Sequence, residues 1–182
     1  MRFRSSAKSF PHFQGTLQER INHPAEWCYK LPKDVSLEVG ALLEPLGVAL
    51  HAVRRAGLEK GASVLVFGAG AVGLLCAAAA KLRGAGHVTI ADIDQGRVEF
   101  AVKNKFADAC YTVPMKRGST TEENLEIAKE TASTIGELKL SGNQTVGEVD
   151  AAFECTGVPA CVQASIYVCW CRLLRHILAH FV

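Results

Sequence analysis

The stretch Gly68-Ala69-Gly70-Ala71-Val72-Gly73 constrains this chain more than any other. It follows Ser63-Val64-Leu65-Val66-Phe67 directly, and Leu74 to Leu82 continues it as a small-residue helix. A short, apolar, β-branched run suits a strand buried on both faces of a parallel sheet. The three glycines between strand and helix have separate tasks. Gly68 permits a tight turn, Gly70 lets backbone approach a pyrophosphate, and Gly73 lets the helix pack close to the sheet. The start of the helix that follows the loop offers unpaired N–H groups and a positive dipole end to phosphate, so Ala71 and Val72 are expected to bind the cofactor with the three glycines.

A lone glycine pattern of this kind is a weak signal. Here a second strand, His87-Val88-Thr89-Ile90-Ala91, ends at Asp92, about 20 residues beyond the loop, where a dinucleotide site needs an acid. Asp92 is expected to accept hydrogen bonds from the adenosine ribose. Its charge would repel a 2′-phosphate, which favours NAD over NADP. Arg97, one turn into the following helix, is expected near the adenine.

The rest of the pattern alternates strand and helix. A helix is expected from Ser36, its N-cap, through Leu43, resuming after Pro45 to end at Arg54-Arg55 before Gly57. Further helices are expected over 95–105, 122–134 and 159–167, and further strands over 109–113 and 149–154. In the helix over 122–134, Leu125, Ala128 and Ala132 share one face. Residues 136–147, polar and glycine-punctuated, are expected to be loop. Such alternation means βαβ units and a doubly wound parallel sheet, the α/β class.

Composition narrows the partners. Hydrophobic residues at 49% and charged residues at 21% show no disorder signature, and a net charge of +2 gives no nucleic-acid footprint. The longest apolar stretch, Leu65 to Leu82, is broken by three glycines, so no membrane partner is expected. Seven cysteines without a CxxC pair argue against a disulfide framework and a zinc ribbon. They fit a reducing, cytoplasmic setting. The basic, acid-free first eighteen residues leave a mitochondrial presequence as a minor alternative.

Specific stretches then accumulate: Gly15-Thr16-Leu17, His23-Pro24-Ala25, Cys28-Tyr29-Lys30-Leu31-Pro32, Gly40-Ala41-Leu42-Leu43-Glu44-Pro45-Leu46, His51-Ala52, the glycine loop, Asp92-Ile93-Asp94 and Glu154-Cys155-Thr156-Gly157. In these the chain resembles the zinc-containing medium-chain alcohol dehydrogenases, and most closely the polyol branch with the sorbitol, xylitol and arabinitol dehydrogenases. The resemblance implies NAD as cofactor, a polyol as substrate, a homo-oligomer, and zinc-assisted oxidation of a secondary alcohol to a ketone. It carries Gly68, Gly70 and Gly73 onto the pyrophosphate loop, and Asp92 and Arg97 onto the adenosine end. It carries Cys155 and Thr156 onto the strand end lining the cofactor cleft, and Glu44 onto a catalytic carboxylate beside the zinc.

The resemblance also sets limits. No Gly-His-Glu motif supplies the family's metal ligands, and no four-cysteine lobe is present. The chain is therefore expected to be truncated at both ends. Residues 1–40 would be a remnant of the GroES-like catalytic domain, 41–168 an incomplete Rossmann-type NAD-binding domain, and 169–182 an atypical tail. The alternative function is a catalytically inactive NAD-binding unit.

Overall fold

A computed structural model describes residues 18–140 and 144–169. The chain divides between Gly40 and Ala41 into two compact units. In the first, a 3-10 turn spans Ala25–Trp27, and a short helix α1 begins at Leu37 and ends at Ala41. Ser36 caps α1 as expected, its hydroxyl accepting from Val39 N–H at 3.3 Å.

The second unit is an α/β layer structure. Its strands β1 (Ser63–Phe67), β2 (His87–Asp92), β3 (Ala109–Thr112) and β4 (Ala151–Glu154) form one parallel sheet in the order β3-β2-β1-β4. Helices α2 (Leu43–Ala56), α3 (Ala71–Leu82), α4 (Gln95–Lys103), α5 (Thr121–Glu137) and α6 (Pro159–Val168) connect and flank the strands.

The strand pleat divides the core in two. Val64 and Val66 of β1, Val88 and Ile90 of β2 and Phe153 of β4 face one cluster, with residues of α2, α3 and α4. Leu65, Phe67, Ala91 and Ala152 face the other, with residues of α5 and α6. Both faces of β1 are therefore buried, which is why it has no polar alternation. Three helices bury the same stripe, at spacings of three, four and seven. The stripe is Ala49, Ala52, Val53 and Ala56 in α2, Gly73, Cys76, Ala77 and Ala80 in α3 (where Ala79 is buried too), and Ala128, Thr131, Ala132 and Ile135 in α5. This is the 3.6-residue period packing one face on the sheet.

Several boundaries differ from the sequence reading. The helix expected to resume after Pro45 starts two residues before it, at Leu43. Proline is tolerated in a first turn, where its missing N–H has no intrahelical acceptor to satisfy. Helix α3 starts at Ala71 rather than Leu74, and α5 runs on to Glu137 because Ile135 is buried. A capping box fixes the start of α5: Thr120 accepts from Glu123 N–H, and the Glu123 carboxylate accepts from Thr120 N–H. Leu125, expected as an anchor of α5, is only half-buried. Within the expected loop 136–147, Lys139 and Thr145 form an antiparallel bridge.

Strand β4 is shorter than expected at its start. Asp150 instead accepts from Ser63 N–H at 2.8 Å. Val149 makes a parallel bridge to Cys169. The tail reading from residue 170 onward lies outside the described residues, as does the basic segment at the N-terminus.

Candidate cofactor-binding site

The C-terminal ends of β1 and β4 flank the point where strand order reverses, which is where open α/β sheets bind ligands. The glycine loop sits there. Gly68 leaves β1 at φ +97°, a conformation side chains disfavour, and its N–H donates to Ala91 O at 2.7 Å. A Cβ on Gly68 would lie 3.1 Å from Thr156 Cγ2 and 3.2 Å from Cys155 O, so the turn after β4 closes against the loop.

Gly70 and Gly73 differ in kind. A Cβ on Gly73 would fall 1.8 Å from Gly68 O and 3.4 Å from Val66 Cγ1. The close packing expected of Gly73 is therefore mainly against the loop's own backbone, and secondarily against β1. A Cβ on Gly70 would meet nothing within 4 Å. Gly70 is the N-cap of α3, exposed and without a side-chain cap, and the first turn carries no acid. Ala71 is exposed and Val72 half-buried beside it. An open helix start with no competing carboxylate suits the anionic centre of a dinucleotide.

Asp92, 9% exposed, stands at the end of β2. One carboxylate oxygen accepts from Ala69 N–H at 2.7 Å and the other from Asp94 N–H at 3.0 Å. The acid thus braces the glycine loop as well as closing the neighbouring strand, a link that its position alone did not reveal. Arg97 is exposed at the start of α4, its Nε 3.9 Å from Asp94 Oδ2. Asp94 caps the same helix by accepting from Arg97 N–H at 3.0 Å.

On the other side of the loop, Cys155 donates its N–H to Phe67 O at 2.9 Å, extending the β1–β4 ladder by one bond. Its side chain packs on the core containing Cys76. Hydrogen bonding with Cys76 and burial push the Cys155 thiol well up, so it is no ready nucleophile. Thr156 is exposed beside Gly68. Glu154, not singled out from sequence, is 6% exposed and holds this turn. Its signal was there to see: an acid closing the otherwise apolar run Ala151-Ala152-Phe153.

Glu44 lies exposed in the first turn of α2. The structure does not bring it to a metal centre. No group of three His, Cys, Asp or Glu side chains suited to a metal ion occurs among the described residues. Zinc therefore has no donor set among them.

A glycine turn at the switch point of a parallel sheet, with a buried acid ending the next strand, defines a Rossmann-type α/β unit. No family model matches the chain. It is 39% identical to D-xylulose reductase A of Aspergillus niger over 158 residues, 87% of this chain and 40% of that protein. It is 38% identical to sorbitol dehydrogenase of Gallus gallus over 157 residues, 86% of this chain and 39% of that protein. Among solved structures, L-idonate 5-dehydrogenase from Escherichia coli matches with a TM-score of 0.67 at 26% identity, over 90% of this chain and 41% of the other. The chain thus spans about 40% of the length of the curated relatives it matches. Over that span it is similar to polyol dehydrogenases.

Proposed function

We propose that this chain is the NAD-binding part of a polyol dehydrogenase. The observation that carries the reading is the contrast within one loop, where Gly68 and Gly73 are packed tight while Gly70 faces open space at an uncapped helix start. Gly68, Gly70, Ala71, Val72 and Gly73 would hold the pyrophosphate. Asp92 would take the adenosine ribose and disfavour a 2′-phosphate, with Arg97 beside the adenine. Cys155 and Thr156 would wall the cleft on the β4 side. Bound NAD supplies the hydride acceptor for oxidation of a secondary alcohol to a ketone.

By resemblance, residues 1–40 belong to the catalytic domain, 41–168 to the cofactor domain, and 169–182 form a tail foreign to the family pattern. Glu44 is assigned on the same ground to the neighbourhood of the relatives' zinc. A polyol substrate, homo-oligomeric assembly and a cytoplasmic setting complete the proposal. The odd count of seven cysteines without a CxxC pair supports the last.

Titration with NADH, followed by its fluorescence, tests the reading. Saturable binding is expected, with NADPH weaker by about tenfold or more, since one uncompensated charge contact exceeds about 1.4 kcal/mol. Equal affinity for both would refute the role of Asp92, and no binding would refute the cofactor reading. Adding sorbitol or xylitol with NAD then separates the two functions: turnover supports the dehydrogenase, and binding without turnover leaves an NAD-binding unit that catalyses nothing.

A further inference from the structure

The turn after β4 owes its shape to one buried carboxylate. Glu154 Oε1 accepts from Thr156 N–H at 2.8 Å and from the Thr156 hydroxyl, and Oε2 accepts from Gly157 N–H at 3.0 Å. The Thr156 hydroxyl in turn accepts from Val158 N–H at 3.0 Å, and Val158 is the N-cap of α6. Gly157 takes φ +72° to complete the turn. A single acid thus sets the path of Cys155-Thr156-Gly157 and the start of the next helix.

That turn is one wall of the cleft, in contact with Gly68. The topology says which half of a dinucleotide it would meet. Asp92 lies on the β2 side of β1, and the open helix start lies at β1 itself. With adenosine at Asp92 and the pyrophosphate at Gly70, the second nucleotide falls on the β4 side. We infer that Glu154 is a positioning residue that fixes the Cys155-Thr156-Gly157 turn as the wall receiving the nicotinamide half of the cofactor. The inference rests on the NAD reading above. A buried carboxylate is a costly way to end an apolar strand. Here three donors converge on its two oxygens, and an amide at this place would set a donor against a donor.

The test compares NADH with ADP, which carries the adenosine and both phosphates but no nicotinamide nucleotide. In the full chain, E154Q is expected to weaken NADH by about tenfold, the loss of one well-made charge-assisted hydrogen bond. ADP affinity should stay within about twofold of wild type, and E154D should recover part of the NADH affinity. Amide exchange at Thr156 and Gly157 should quicken in E154Q while the amides of β1 and β2 keep their protection. T156V, which removes the hydroxyl link and leaves the carboxylate, should show the same selective loss more weakly, and it decides the matter if E154Q does not fold. Equal weakening of both ligands, or of neither, overturns the inference while leaving the cofactor reading intact. A wild-type chain that binds neither NADH nor ADP overturns both.

Discussion

Adding one methyl group at two points of a single loop should separate folding from binding. In Gly73→Ala the new Cβ would lie 1.8 Å from Gly68 O and 2.9 Å from Gly68 C, against the 3.4–4 Å of ordinary contact. Both atoms are backbone, so relief requires the loop or the helix to move by roughly 1.5 Å in an interior packed to crystal density. Overpacking of this kind costs about 3 kcal/mol at the upper end of its range. The better helix propensity of alanine offsets about 1 kcal/mol, leaving a net loss of about 2 kcal/mol. With a urea slope of about 2 kcal/mol/M, the unfolding midpoint should fall by about 1 M. Gly70→Ala meets nothing within 4 Å and keeps an ordinary φ of −81°. The entropy removed from the unfolded chain and the poorer N-cap oppose each other, so its stability should stay within about 0.5 kcal/mol of wild type. Its methyl would occupy the space left for phosphate, and NADH affinity should fall by about tenfold or more. Urea denaturation by far-UV circular dichroism and NADH titration read the two effects. An unchanged midpoint in Gly73→Ala refutes the packing argument. Unchanged NADH affinity in Gly70→Ala refutes the placement of the phosphates.

Other consequences can be checked with the same assays. Thr120→Ala removes the hydroxyl half of the capping box on α5 and should cost about 1 kcal/mol, a urea midpoint lower by about 0.5 M; no shift would mean the cap is idle. His87 has Nε2 buried without a hydrogen-bond partner, and burial lowers its pKa below 6.5 against the opposing pull of Asp108 and Asp150. The unfolded chain therefore binds the extra proton first, and stability should decline as pH falls through 6.5, levelling off below the folded value. His87→Leu should flatten that decline between pH 7.5 and 5.5, and parallel pH profiles would refute the assignment. Cys28 is exposed, whereas Cys76 is buried and the Cys155 thiol is pushed up. Alkylation at pH 8, read by mass spectrometry, should label Cys28 first and reach Cys155 only on unfolding. Early labelling of Cys155 would contradict its raised, half-buried thiol.

Local chemistry explains what the sequence made readable. The run 63–67 needs no partner information to be recognised, because a strand buried on both faces has no polar alternation to preserve. The loop that follows is legible for a similar reason: the turn at Gly68 and the packing of Gly73 on Gly68 O are steric requirements met within a few residues. Helix starts were less clear. Pro45 marks a break in a sequence pattern, yet the first turn of α2 accommodates it. The capping box Thr120-x-x-Glu123 was spelled out but lies before a helix whose apolar face is weak.

The opening feature, Gly68 to Gly73 with Asp92 beyond it, determined the α/β class and pointed to the proposed phosphate seat from the sequence alone, since turn sterics and helix ends are local properties. The tertiary structure decided the rest of the cleft. Ala69 meets Asp92, Gly68 meets the turn at 155–156, and Glu154 acquires its task only when a parallel sheet sets β2, β1 and β4 side by side. Those contacts join residues 23 to nearly 90 positions apart, and no local spacing encodes them. They arise because burying both faces of the sheet fixes which strand ends become neighbours.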